Sequence, residues 1–223
     1  MKLEDLITGG GMPLVVEPHN EPEPERLPAY ILDDPEVVGF PDKQMQENLY
    51  EYATRGVLPL NLEDNNSLIV VDIGAGRGDF KRFLDMRYPY QISYIGYEIN
   101  SIHRQAAKQK YEIDLNATEY SKTNDVRNAW AFCIVSLHED YGIYDSNTKY
   151  EYFEQLCKVA LTNNLLGVVF ILFSTDDGTN LISHPPQKIL DIVLQFAPDV
   201  RYYLDATTFP GIYKLAIFNS TSL

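Results

Sequence analysis

Three observations predict an α/β fold. From Ser67 onward, short apolar runs alternate with stretches of helical periodicity. The run Leu68–Ile73 carries an acid at Asp72 and leads into a G-x-G-x-G turn, Gly74–Gly78, an order that lets backbone approach a ligand at the mouth of a βα unit. The run Leu165–Phe173 is apolar almost throughout, as in a strand covered on both faces. Together they describe a Rossmann-like, doubly wound, mostly parallel sheet in three α/β/α layers, closed by an antiparallel strand at its C-terminal end.

The elements follow in order. Residues 1–40 read as a Pro-rich acidic arm and residues 41–223 as an α/β domain. In the arm, Gly9–Gly11 is flexible, prolines from Pro13 to Pro35 interrupt any helix, and Glu21–Glu25 should be extended and solvated. The arm could wrap the domain, form a lid or contact a partner. A helix is expected over Asp42–Arg55, started by Asp42 and stopped by Gly56. The first strand spans Leu68–Ile73 and its helix Asp79–Met86. The second strand spans Ser93–Tyr97 and its helix Ser101–Lys110. A third strand falls somewhere in Leu115–Tyr120. The fourth covers Trp130–Leu137, with a helix over Thr148–Leu161, and the fifth is the apolar run Leu165–Phe173. Pro185 and Pro186 open a last helix. Val200–Leu204 and Ile212–Phe218, separated by Pro210-Gly211, form an antiparallel pair.

Composition narrows the function. The formal net charge is −14, of which residues 1–66 carry −10 and residues 67–223 carry −4. Nucleic-acid binding normally needs a basic footprint, and this composition lacks one; Arg77, Lys81 and Arg82 could form a local patch, but read better as a solvated helix face. No apolar run is long enough to span a bilayer, and no signal peptide is indicated, so the expected compartment is cytoplasmic. Cys133 and Cys157 fall in apolar segments and read as reduced packing residues. The histidines have no metal-ligand spacing.

Polar residues collect at the carboxyl ends of the strands, where open α/β sheets bind ligands. Gly74–Gly78 follow the first strand, and Glu98 closes the second. Ser136, His138, Glu139 and Asp140 follow the fourth, and Ser174–Asp177 the fifth. The glycines allow backbone N–H groups to approach a ligand. Glu98 could accept hydrogen bonds from both hydroxyls of a ribose. Two strand tips, one with a glycine turn and one with a carboxylate, read as a site for a nucleoside-containing cofactor.

The stretch Val71-Asp72-Ile73-Gly74-Ala75-Gly76-Arg77-Gly78 resembles the first motif of the class I S-adenosylmethionine-dependent methyltransferases, and Glu98 matches the acid that ends their second strand. The likeness covers about Ser67–Asn219. It implies a methyltransferase-like domain over 41–223 that binds S-adenosylmethionine. By this resemblance Asp72 lies near the methionine end of the cofactor, Gly74, Ala75, Gly76 and Gly78 pack beside it, and Glu98 holds the ribose. Ile99 and Ser136 join the same cofactor-binding set. Asp125 is the candidate for the adenine contact, with Asp114 as its rival. Ser136-Leu137-His138 stands where DNA amino-methylating members carry Asn/Asp-Pro-Pro-aromatic, and looks more like members that act on small molecules or protein groups. His138, and after it Glu139, are the candidate catalytic bases for an acceptor that must lose a proton. Tyr141, Tyr144, Tyr150 and Tyr152 either line an acceptor site or pack the following helix.

Two other readings stand beside a methyltransferase with a small-molecule or protein acceptor. One is a non-catalytic methyltransferase-like binding or assembly module. The other is an NAD-dependent oxidoreductase, although Asp79 occupies the last glycine position of the dinucleotide fingerprint.

Overall fold

Each strand tip is placed by a helix whose start is written locally. The computed structural model describes residues 26–61, 67–118, 129–135, 148–162, 165–174 and 184–219. The helices are α1 (Ala29–Asp33), α2 (Lys43–Thr54), α3 (Asp79–Arg87), α4 (Ser101–Tyr111), α5 (Thr148–Thr162) and α6 (Pro186–Phe196). The strands are β1 (Leu68–Ile73), β2 (Ile92–Tyr97), β3 (Ala129–Ile134), β4 (Gly167–Phe173), β5 (Arg201–Phe209) and β6 (Ile212–Phe218). Asp42 caps α2 by accepting the Met45 amide at 2.7 Å. The Asn100 side chain caps α4 through the Ile102 amide at 2.9 Å. Gly78 precedes α3 in a left-handed conformation, and a proline begins α6.

The strands form one sheet in the order β2-β1-β3-β4-β6-β5. The pairs β1–β2, β1–β3 and β3–β4 are parallel, and β6 runs antiparallel to both β4 and β5. This is the expected sheet with its antiparallel C-terminal end. Alternation along β1 sends Val71 and Ile73 to one core and Val70 to the other. The first core gathers Phe153 and Leu156 of α5 with Ile189 and Val193 of α6. The second gathers Tyr50 and Tyr52 of α2 with Phe80 and Leu84 of α3. Helices on both faces make the three layers. Cys133 and Cys157 are in no disulfide and are buried in the first core, where Tyr150 and Tyr152 also pack. Among the described residues no helix is long and apolar enough to cross a membrane.

Two expected strands fall well short of the sequence reading, and the run Leu165–Phe173 becomes strand only from Gly167. The strand sought in Leu115–Tyr120 reduces, among its described residues, to one parallel bridge between Asn116 and Tyr97. Asn116 exchanges backbone hydrogen bonds with Gly96 and Glu98, but the neighbouring Asp114, Asn116 and Ala117 are poor strand formers and do not extend it. The strand expected over Trp130–Leu137 stops at Ile134, where Val135 takes φ +65°. A left-handed β-branched residue cannot continue a strand. The described part of the arm also departs from an extended chain. It folds into α1 and a 3-10 turn over Pro35–Val38, and Phe40 is buried against Tyr50.

Candidate functional site

The glycine turn is fastened to the tip of β2. Gly74, Gly76 and Gly78 have φ of +73°, +54° and +78°, values that side-chain-bearing residues rarely adopt. The amides of Gly74 and Ala75 both donate to the Tyr97 carbonyl, at 2.8 and 2.9 Å, and the Gly78 amide donates to Ala75 at 2.9 Å. The Gly76 amide donates to Glu98 Oε2 at 2.8 Å. Four turn amides are thus used inside the protein. The expectation that these N–H groups reach out to a ligand is replaced by another role: the turn brings small, closely packed backbone to the mouth of the sheet.

Glu98 is the hub of the site. The residue is 7% exposed. Oε1 accepts the Asn100 amide at 2.8 Å, so the side chain joins the turn to the start of α4. His103 Nδ1 lies 3.9 Å from Oε2. A carboxylate offers about four acceptor positions, so two remain for donors from a ligand. Beside it Ile99 is 46% exposed and presents apolar surface. Ala75 is buried.

Asp72 lies deeper, on the face of the second core. It accepts the Tyr94 hydroxyl at 2.5 Å and is 3% exposed. Burial pushes its carboxyl up to about 7; the Tyr94 hydroxyl opposes this and the nearby Glu98 charge adds to it. Tyr94 escaped the sequence reading. Its signal was parity, since Tyr94 and Gly96 share a face of β2 and align with Val70 and Asp72 of β1. Gly96 itself leaves room for Leu115, whose Cδ2 stands 2.3 Å from where a Cβ would be.

Arg77 is the largest departure from expectation. Rather than facing solvent it is 1% exposed. Nη1 donates to the carbonyls of Ile31 and Asp34, each at 2.8 Å. Nε and Nη2 donate to Asp79 Oδ2 at 3.2 and 3.1 Å. Asp79 also accepts from Tyr111 at 2.5 Å and Lys110 at 3.3 Å. Burial works to raise the Asp79 pKa, but Tyr111, Arg77 and Lys110 outweigh it and hold the carboxyl below its usual value. The carbonyls that bury Arg77 come from far upstream and leave no mark near residue 77 in the sequence.

The structure therefore brings together Asp72, Gly74, Ala75, Gly76, Gly78, Glu98 and Ile99. His138, Glu139, Asp125 and Ser136 lie outside the described residues, as do Tyr141 and Tyr144. Asp114 is described: it is exposed and pairs with Lys108 at 2.8 Å.

The fold is that of the class I S-adenosylmethionine-dependent methyltransferases. A methyltransferase from Clostridium acetobutylicum superposes with TM-score 0.53 at 12% identity, covering 83% of this chain and 95% of that one. Human N-acetylserotonin methyltransferase gives TM-score 0.50 at 14% identity over 68% of this chain, which spans only 47% of that protein. A small RNA methyltransferase gives TM-score 0.55 at 12% identity, over 80% of this chain and 25% of that one. No family model matches the sequence, and no curated protein matches it either.

Proposed function

We propose that this protein is an S-adenosylmethionine-dependent methyltransferase acting on a small-molecule or protein acceptor. The observation that carries the reading is the Glu98 carboxylate, buried at a strand tip, bonded to the glycine turn and still holding free acceptor positions. A nucleoside ribose supplies the paired hydroxyl donors that such a carboxylate lacks. The exposed Ile99 adds an apolar surface for the attached base. When bound, S-adenosylmethionine supplies an electrophilic sulfonium methyl group. The chain's own residues have to orient and enclose. Glu98 holds the ribose, the turn from Gly74 to Gly78 limits the cleft, and Asp72 with Tyr94 supports its floor. We assign His138, with Glu139 as second candidate, to remove a proton from the acceptor where the chemistry requires it. Asp125 and Ser136 are assigned to the cofactor on the motif order alone.

The acceptor is narrower than the fold. Solved neighbours include an N-acetylserotonin methyltransferase, determined with S-adenosylmethionine, and a small RNA methyltransferase, so the fold does not choose. A net charge of −14 favours an acceptor that is not a polyanion.

A thermal-shift series tests the cofactor. S-adenosylhomocysteine at about 100 times its dissociation constant stabilises the folded state by about 2.7 kcal/mol, which for a chain of this size raises Tm by about 5–10 °C. NAD leaves Tm unchanged. No shift with S-adenosylhomocysteine or S-adenosylmethionine at millimolar concentration overturns the proposal. Mass analysis of a candidate small molecule and a candidate protein after incubation with S-adenosylmethionine then separates the two acceptor classes.

A further inference from the structure

The N-terminal segment reaches the candidate site through a buried cation. The Arg77 guanidinium, rooted between Gly76 and Gly78, closes on the backbone carbonyls of Ile31 and Asp34. Three more contacts support the same placement. Val38 Cγ1 lies 3.1 Å from where a Cβ on Gly76 would stand. Asp33 is 3.5 Å from Lys110 of α4. The Leu27 amide donates to Gln109 Oε1 at 3.0 Å. Gly76 is also the residue whose amide meets Glu98, so Val38 stands beside the part of the turn that contacts the carboxylate assigned to the ribose.

We infer that Arg77 is a positioning residue: it docks residues 27–38 against the glycine turn as a wall of the cofactor cleft, so that docking of this segment and cofactor binding are coupled. The inference rests on the cofactor reading above. The segment cannot hold this shape by itself. α1 has five residues, none of them buried, and the 3-10 turn has four; pieces this short are unstable alone. Its docked state depends on its anchors. Arginine suits the task because its planar fork serves two carbonyls and a carboxylate at once, whereas lysine offers a compact charge and fewer fixed directions. A cofactor that contacts the turn favours the docked form, and its apparent affinity scales with the fraction of molecules docked. A chain beginning at Phe40, which lacks this segment, then binds cofactor weakly.

The test uses the full chain as wild type, Arg77→Lys and Val38→Gly. Hydrogen exchange is followed across residues 27–40 and across β1 and β4, with and without S-adenosylhomocysteine, and the affinity is measured by calorimetric titration. In the wild type, S-adenosylhomocysteine slows exchange in residues 27–40. Arg77→Lys lowers the docked fraction of that segment, read from its exchange protection, about tenfold, leaves β1 and β4 protected, and weakens S-adenosylhomocysteine by about the same factor. Val38→Gly, which keeps Arg77 in place, weakens it less. A docked fraction lowered several-fold with wild-type affinity overturns the coupling. Unchanged exchange in Arg77→Lys overturns the anchoring. Should Arg77→Lys loosen β1 and β4 as well, Val38→Gly decides: a docked fraction lowered several-fold with unchanged affinity again overturns the coupling. A wild type that does not bind S-adenosylhomocysteine overturns the cofactor reading and the coupling with it, and exchange in residues 27–40 then reports the docking separately.

Discussion

Replacing Glu98 with alanine separates a surface acid from a structural hub. The side chain accepts two backbone amides, Gly76 and Asn100, both at 2.8 Å, and is almost fully buried. Hydrogen bonds to a charged group contribute about 1.5–3 kcal/mol each. Losing both costs about 3–6 kcal/mol in the absence of any cofactor, a large share of the 5–15 kcal/mol that typically holds a domain together. For a chain of this length that is a fall in Tm of roughly 6–24 °C. The expectation from sequence alone, in which Glu98 faces only ribose, is a loss of affinity with little loss of stability. Differential scanning calorimetry of the ligand-free protein distinguishes the two. A Glu98→Ala protein that melts within a degree of wild type refutes the hub. Glu98→Gln sharpens the measurement, because it keeps one acceptor and loses the charge: it should fall between wild type and alanine.

Two further perturbations bear on the same site. Gly76→Ala must hold φ +54° with its new methyl 3.1 Å from Val38, at a cost of about 1–2 kcal/mol for the backbone alone. Urea denaturation should show Val38→Ala restoring only the steric part, and a Gly76→Ala protein as stable as wild type contradicts the turn geometry. Asp72 gives a pH signature. Its carboxyl is raised by burial from 3.8 to about 7, with Tyr94 opposing and Glu98 adding, so the folded state keeps a proton that the unfolded state releases, and this group's contribution to stability falls as pH rises from about 4 to about 7. Asp72→Asn removes that loss, worth roughly 4 kcal/mol in full, and its advantage over wild type should widen by roughly 3 kcal/mol between pH 5 and pH 8. An advantage that is the same at both pH values refutes the buried, raised carboxyl.

The alternation of strands and helices was legible because periodicity and caps are local properties. Asp42, Asn100 and Pro186 mark helix starts beside the residues they serve, and β4 announces its two-sided burial in its own composition. The glycine turn and Glu98 were legible as a pair, since the spacing between strand tips follows from one βαβ unit. What the sequence hid are cations whose partners are distant carbonyls. Arg77 is stabilised by backbone more than forty residues upstream. Lys214 sits inside β6, and its amine donates to the carbonyls of Tyr52 and Arg55 at the end of α2. A carbonyl has no residue type, so neither pairing leaves a compositional trace. The strand expected after α4 failed for the opposite reason: Asn116 bridges to β2 without neighbours able to prolong it.

The position of β6 has a consequence for how the molecule is made. It comes after β5 in the chain but lies between β4 and β5 in the sheet. During synthesis β2, β1, β3 and β4 can join one another as they emerge, whereas β5 arrives with no neighbour to pair with. Until residues 212–218 follow, the apolar border of β4 stays open as a template for other chains. A product that stops before Ile212 is therefore a sheet with a missing interior strand, prone to aggregation and proteolysis.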